Sequence, residues 1–170
     1  MENLFSIAIT LVFGGVIFVA MAFDMWSRRV PNMISVTLVV LFAVAAGMAW
    51  DQVDWWGHIG FGLGMFLFGA ILFYFGWFGG GDVKLLGALS LWMGLPLAAE
   101  YLMLVGLAGG MAALVILVLR RAIKPFVAAW ERRGLRVPEI LSPGGTLPYG
   151  VVLGVAALIT ARKIELLVWF

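Results

Sequence analysis

The sequence predicts an all-α, polytopic membrane protein: a single transmembrane domain over residues 1–170 with about six transmembrane helices. Three observations carry this. Of the 170 residues, 64% are hydrophobic and 12% charged, against about 45–50% and about 25% in soluble domains. Mean hydropathy is +1.11. The apolar residues fall in runs close to the ~20 residues that a helix needs to cross a bilayer core, with short polar breaks between them. The same figures exclude disorder, which requires low hydrophobicity, and leave no room for a large soluble domain.

The first run, 4–23, is about one bilayer thick; Glu2 stands where a signal peptide would carry basic residues, so the run reads as a span. It ends in Asp24-Met25-Trp26-Ser27-Arg28-Arg29-Val30-Pro31-Asn32, where Pro31 disfavours helix at Val30 and marks a turn. The second run is 33–50, followed by an acidic loop, 51–58, with interfacial tryptophans. The third is 59–78, with Gly60 and Gly64 spaced for close helix contact. Gly79-Gly80-Gly81-Asp82-Val83-Lys84 is expected to break it. The fourth run, 85–99, is short and carries Pro96; the fifth, 101–119, has a second close-packing pair, Gly106 and Gly110. Residues 120–147 form the one sizeable polar segment, read as a basic cytoplasmic loop. Within it, 124–133 has the Trp, Phe, Lys and Arg content of an amphipathic surface helix, whose basic residues would each gain about 1 kcal/mol near anionic lipid. The sixth run starts near Pro148 and stays apolar to Ala161, a short or tilted span before Arg162, Lys163, Glu165 and a last apolar stretch, 166–170.

Charge orients these spans. With the N-terminus outside, the inner loops hold Arg28, Arg29, Lys84, Arg120, Arg121, Lys124, Arg132, Arg133 and Arg136, that is 9 of the 11 basic residues, and only Arg162 and Lys163 lie outside. Lys and Arg bias in short loops sets orientation, so both termini are expected outside.

The residue inventory removes whole classes of chemistry. There is no cysteine and one histidine, His58, on the outer side. Disulfides, cysteine-ligated metals and a cysteine nucleophile are excluded, and no metal or cofactor is expected. A net charge of +2 is not a nucleic-acid signature. Gly79-Gly80-Gly81 is not a phosphate loop, because Lys84 is not followed by Ser or Thr. The tryptophans Trp50, Trp55, Trp56, Trp77 and Trp169 read as interfacial belt residues.

Two acids remain at the cytoplasmic ends of spans, Asp24 and Asp82. Asp82 has a plain structural account as a helix N-cap. Asp24 is harder to place: in the last turn of an inward-running helix its charge opposes the helix dipole, and a pair with Arg28 is worth only about 0.3–0.5 kcal/mol. Together they form the kit for aspartic proteolysis. One carboxylate draws a proton from water, and the other, protonated, donates to the scissile carbonyl. A small ion-coupled transporter and a non-catalytic membrane assembly factor are the competing readings. Against the transporter, both acids sit at one face, whereas carrier sites lie near the midplane.

At these residues the chain resembles the type IV prepilin peptidases, intramembrane aspartyl proteases with a Gly-x-Gly-Asp motif. Asp24 followed by Arg29-Val30-Pro31-Asn32 is similar to the first-aspartate segment of that family. Gly79-Gly80-Gly81-Asp82-Val83-Lys84-Leu85, followed by Gly87-Ala88-Leu89 and Trp92-Met93-Gly94, is similar to the second. Leu147-Pro148-Tyr149-Gly150-Val151 resembles the start of the family's last span. The resemblance implies catalysis by Asp24 and Asp82, with Gly79, Gly80, Gly81, Pro31, Asn32, Lys84, Pro148 and Gly150 shaping backbone or substrate. It implies as partner a prepilin or pseudopilin precursor, cut between a basic leader and an apolar helix, beside membrane lipids and pilus assembly proteins. It implies a bacterial cytoplasmic membrane location with the site at the cytoplasmic face. The long family members linked to N-methylation carry a cytoplasmic insert, often with four cysteines. This chain has neither insert nor cysteine and resembles the short forms of tight-adherence (Flp-type) pili, so methyl transfer is not implied.

Overall fold

The computed structural model describes residues 2–132, 140, 145 and 147–164. Among these, regular structure is helical: α1 (Glu2–Ser27), α2 (Asn32–Met48), α3 (Trp55–Tyr74), α4 (Gly80–Arg132) and α5 (Tyr149–Thr160), with single 3₁₀ turns at Trp50–Gln52 and Ala161–Lys163. The protein is an all-α, polytopic membrane protein. The side chains that face outward are apolar, as bilayer-facing helices require: Leu11, Phe18, Leu67, Met111 and Leu117 are all largely exposed.

Each helix buries one stripe. On α1 the buried positions are Ile9, Phe13, Ile17, Ala20 and then Asp24, three or four residues apart, so the acid continues the apolar face. On α2 they are Ile34, Ser35, Leu38, Phe42, Ala45 and Ala46. The first half of α4 is the centre of the bundle and is buried almost all round, through Leu85, Leu89, Trp92 and Met93. Trp92 locks that centre. Its indole N–H donates to the Leu38 carbonyl at 2.9 Å, and its ring meets Phe13 and Phe42 at centroid distances of 4.6 and 5.7 Å. Glycine lets α5 approach α1: a Cβ on Gly154 would lie 2.6 Å from Met21 Cγ.

Three boundaries differ from the sequence expectation. α3 spans Trp55–Tyr74 and not 59–78. Asp54 caps it by accepting from the Gly57 N–H at 3.1 Å, which draws Trp55 and Trp56 into its first turn. Gly76, at φ 74°, ends it. Trp77 N–H bonds Leu72 O and Gly76 N–H bonds Phe73 O, both at 2.9 Å, the paired closure of a helix that stops on a left-handed glycine. The chain therefore turns before the glycine run, and Gly80 and Gly81 open α4.

The second difference is the break between the fourth and fifth predicted runs. It falls at Gly94, φ 61° and ψ −178°, where the two helical parts of α4 meet at a kink. Only glycine adopts that backbone readily. The His58 ring meets the Leu91 carbonyl just before the break, with Nδ1 2.8 Å away. Pro96 falls in the first turn after the break, where its missing N–H costs nothing.

The third concerns the basic segment 120–147. α4 continues through Arg120 and Pro125 to Arg132, so the first part of the expected loop, including most of the expected surface helix, is an extension of the preceding span. Arg120 and Lys124 are good helix formers, and Pro125 removes a single bond. The six predicted crossings thus correspond to α1, α2, α3, the two helical parts of α4 on either side of Gly94, and α5. Those long and apolar enough to span alone are Leu4–Ser27, Trp55–Tyr74 and Gly80–Val127. α2, at 17 residues, and α5, at 12, are shorter. Residues 133–139, with Arg133 and Arg136, and 165–170, with Trp169, lie outside the described residues.

Candidate active site

The turn after α1, the turn after α3 and the start of α5 meet at one end of the bundle. Arg28 makes the first turn with a left-handed backbone, φ 53°, its N–H bonded to Asp24 O at 3.1 Å. Ser27 Oγ donates to Phe23 O at 2.8 Å and closes the last helical turn. The chain reverses, and Pro31 takes the N-cap of α2. Arg120 makes two further bonds at this end: its Nε and Nη2 donate to Ile140 O at 3.0 Å and Gly145 O at 2.6 Å. Those two bonds tie Ile140 and Gly145 to α4.

Asp24 is 4% exposed, at the end of α1's buried stripe. Its Oδ2 accepts the Val151 N–H at 3.1 Å, and the Gly150 amide also faces the carboxylate. Pro148, the N-cap of α5, offers that helix no side-chain cap. Asp24 supplies the missing acceptor from another helix, where the dipole favours negative charge. The charge that opposes the dipole of α1 is thereby answered by the N-terminus of α5. Gly150 makes room: a Cβ there would lie 2.9 Å from Asp24 Oδ2.

Asp82 is the third residue of α4, half-buried. It is not the N-cap. Gly79 holds that position, its carbonyl accepting the Val83 N–H at 3.1 Å, while the Asp82 carboxylate turns back to the Gly79 amide. Asp24 and Asp82 line one cavity of about 330 Å³. Arg28, Trp77, Phe78 and Tyr149 also line it, and the rings of Phe78 and Tyr149 pack there with centroids 4.7 Å apart. A second cavity of about 260 Å³ adjoins it, bounded by Arg28, Arg29, Val30 and the run Gly79 to Asp82. Two carboxyls facing one cavity can share a proton, activate a water and polarise a carbonyl.

The remaining expected residues divide. Gly79, Gly80 and Gly81 form the lip of the second cavity, and Pro148 and Gly150 flank Asp24. Gly81 has an ordinary helical backbone, with a Cβ-free face 2.9 Å from Val30 O, so close packing and not positive φ demands glycine there. Asn32 and Lys84 stand apart. Lys84 Nζ donates to Asn32 Oδ1 at 2.8 Å, and both line a separate groove. His58 lies at the other end of the bundle, on the Leu91 carbonyl. Sequence reasoning missed Val151 as partner of Asp24, Gly76 as the turn residue, and Arg28 as a residue of both cavities; the alternation of Gly76 with aromatic neighbours was the one available signal. Among the described residues no group of three His, Asp or Glu side chains is placed to hold a metal ion.

Searches of curated proteins and of solved structures return no match. The model of the type IV leader peptidase family matches residues 11–118, which include both aspartates and both turns beside them. That is well over half of the sequence, and the chain belongs to the type IV leader peptidase family.

Proposed function

We propose that this protein is an intramembrane aspartic endopeptidase that removes the basic leader from a prepilin or pseudopilin precursor at the cytoplasmic membrane face. Membership of a leader peptidase family supplies the peptidase. The observation that carries the aspartic mechanism is the shared cavity of Asp24 and Asp82 at one end of the bundle. One carboxyl takes a proton from the attacking water and the other donates its proton to the scissile carbonyl. The tetrahedral intermediate then collapses as a carboxyl protonates the leaving amine. The pair titrates as one unit, because two close like charges do not both ionise cheaply.

The surroundings suit a site at the inner face that admits a peptide. Arg28, Arg29 and Arg120 lie at the same end as the aspartates, as the basic bias of an inner face requires. The lip formed by Gly79, Gly80 and Gly81 carries no side chains, which allows an extended peptide to approach the backbone. The short form without an insert suits cleavage alone, with no cofactor and no methyl transfer. Purified protein in proteoliposomes, given a pilin precursor, should release the leader, and Asp24→Asn and Asp82→Asn should not. Release of an intact leader by either variant would refute the dyad.

A further inference from the structure

Behind the aspartates, α2, α3 and the first half of α4 enclose an apolar groove of about 560 Å³. α2 and α3 both pack on α4 and scarcely touch each other, so α4 is its floor. On α2 the lining is Asn32, Ser35, Val36 and Val39, one helical face; α3 and α4 contribute the same spacing from Ile59 and from Lys84. That is about 10 Å of helix, a third of a hydrocarbon core of about 30 Å. Gly87 keeps the floor deep, since a Cβ there would lie 2.9 Å from Phe66 Cβ.

One end of the groove is polar, and it is the end that holds the aspartates. Lys84 is exposed and uses one N–H on Asn32 Oδ1. Among the described residues, its other N–H groups and the Asn32 amide are left to meet an anion. One turn deeper is Ser35, 7% exposed, whose hydroxyl has no hydrogen-bond partner among the described residues. A cation and an amide at the rim, a buried unsatisfied hydroxyl one turn below, and an apolar channel beyond follow the order of a phospholipid: phosphate, ester, acyl chain.

We propose that this groove binds one anionic phospholipid, with its phosphate at Lys84 and Asn32, an ester oxygen within reach of a rotated Ser35 hydroxyl, and an acyl chain along Val36 and Val39. Charge complementarity selects this occupant. An apolar peptide helix would fill the channel and bring no anion to Lys84, and a zwitterionic headgroup would set an ammonium against it. Lys84 follows Asp82 by two residues and points to the opposite side of α4, so the lipid sits behind the site and not in it. The inference does not rest on the catalytic reading, and its test requires no cleavage.

The test uses the full chain in vesicles of equal phosphatidylglycerol and phosphatidylcholine, extracted gently and weighed by native mass spectrometry. One phosphatidylglycerol should be retained per protein, several-fold in preference to phosphatidylcholine. Lys84→Gln should abolish the preference, and Lys84→Arg should restore it. Val39→Trp, which fills the channel from a partly exposed wall position, should expel the lipid while circular dichroism stays unchanged; should that variant fail to fold, Val36→Trp serves the same purpose. Equal retention of both lipids, or retention of phosphatidylglycerol undiminished in the channel-filling variant, would overturn the proposal. So would a photo-crosslinker at Val36 that captures a pilin precursor in place of lipid.

Discussion

The Asp24 carboxylate accepts a hydrogen bond from the backbone N–H of Val151 at 3.1 Å, 127 residues further along the chain. In the mechanism proposed above it therefore has two duties, as an acid of the dyad and as the cap of α5. Gly150 is where the two meet, since a Cβ would sit 2.9 Å from Asp24 Oδ2 and 3.0 Å from its Cβ and Cγ. Gly150→Ala should insert and fold but displace that carboxyl, lowering kcat/KM by about 10–100-fold, the order of loss for a misplacement near 1 Å. Cleavage kinetics beside circular dichroism check this; unchanged kinetics would show that the contact does not position the acid.

The dyad predicts non-additive losses. Asp24→Asn, Asp82→Asn and the double variant should show the same residual cleavage, as groups acting as one unit do. Activity against pH should be bell-shaped, with both limbs belonging to the pair. Strong activity in one single variant would leave only one essential acid.

Gly81→Val should cut activity sharply, and Gly81→Ala should already do much of the damage. The reason is contact: any Cβ there meets Val30 O at 2.9 Å, and backbone does not move aside like a flexible side chain. Gly80→Ala should cost less, because its Cβ would make only an ordinary contact, 3.5 Å from Phe73. Parallel kinetics on the three variants decide it, and equal losses would point away from the Val30 contact.

The break at Gly94 predicts a stability effect remote from catalysis. Gly94→Ala forces a side chain into φ 61° and against the His58 ring 2.9 Å away. Backbone strain of this kind costs about 1–3 kcal/mol. Thermal unfolding in detergent should show a lowered midpoint, and an unchanged midpoint would mean that the break tolerates a side chain.

Orientation is tested by reporter fusions. One placed after Asp54 should read external and one after Arg133 cytoplasmic. The reverse result would put Asp24 and Asp82 on the far side of the membrane from a precursor's leader.

The sequence by itself determined the membrane class, the order of the apolar helices and the two acids worth attention. These follow from local properties: the length of each apolar run, the residues that break it, and the scarcity of charge in a chain that is 12% charged. It placed the helix breaks less well. Gly79 to Gly81 drew the turn by composition, yet Gly76 makes it, because the closing hydrogen bonds of α3 fall on Leu72 and Phe73. The runs 85–99 and 101–119 put the next break at Glu100, yet Gly94 makes it, because only glycine takes that backbone readily and His58 from another helix meets the Leu91 carbonyl beside it. Likewise Asp24 looked like a charge opposed by its own helix. Only the fold supplies Val151, and only the fold sets Lys84 and Asn32 on a groove away from Asp24 and Asp82. Periodicity reports what a residue does within its own helix; a partner 127 residues away is fixed by packing, when Gly154 and Gly150 let α5 come close enough to α1 for a buried carboxyl to meet an uncapped amide.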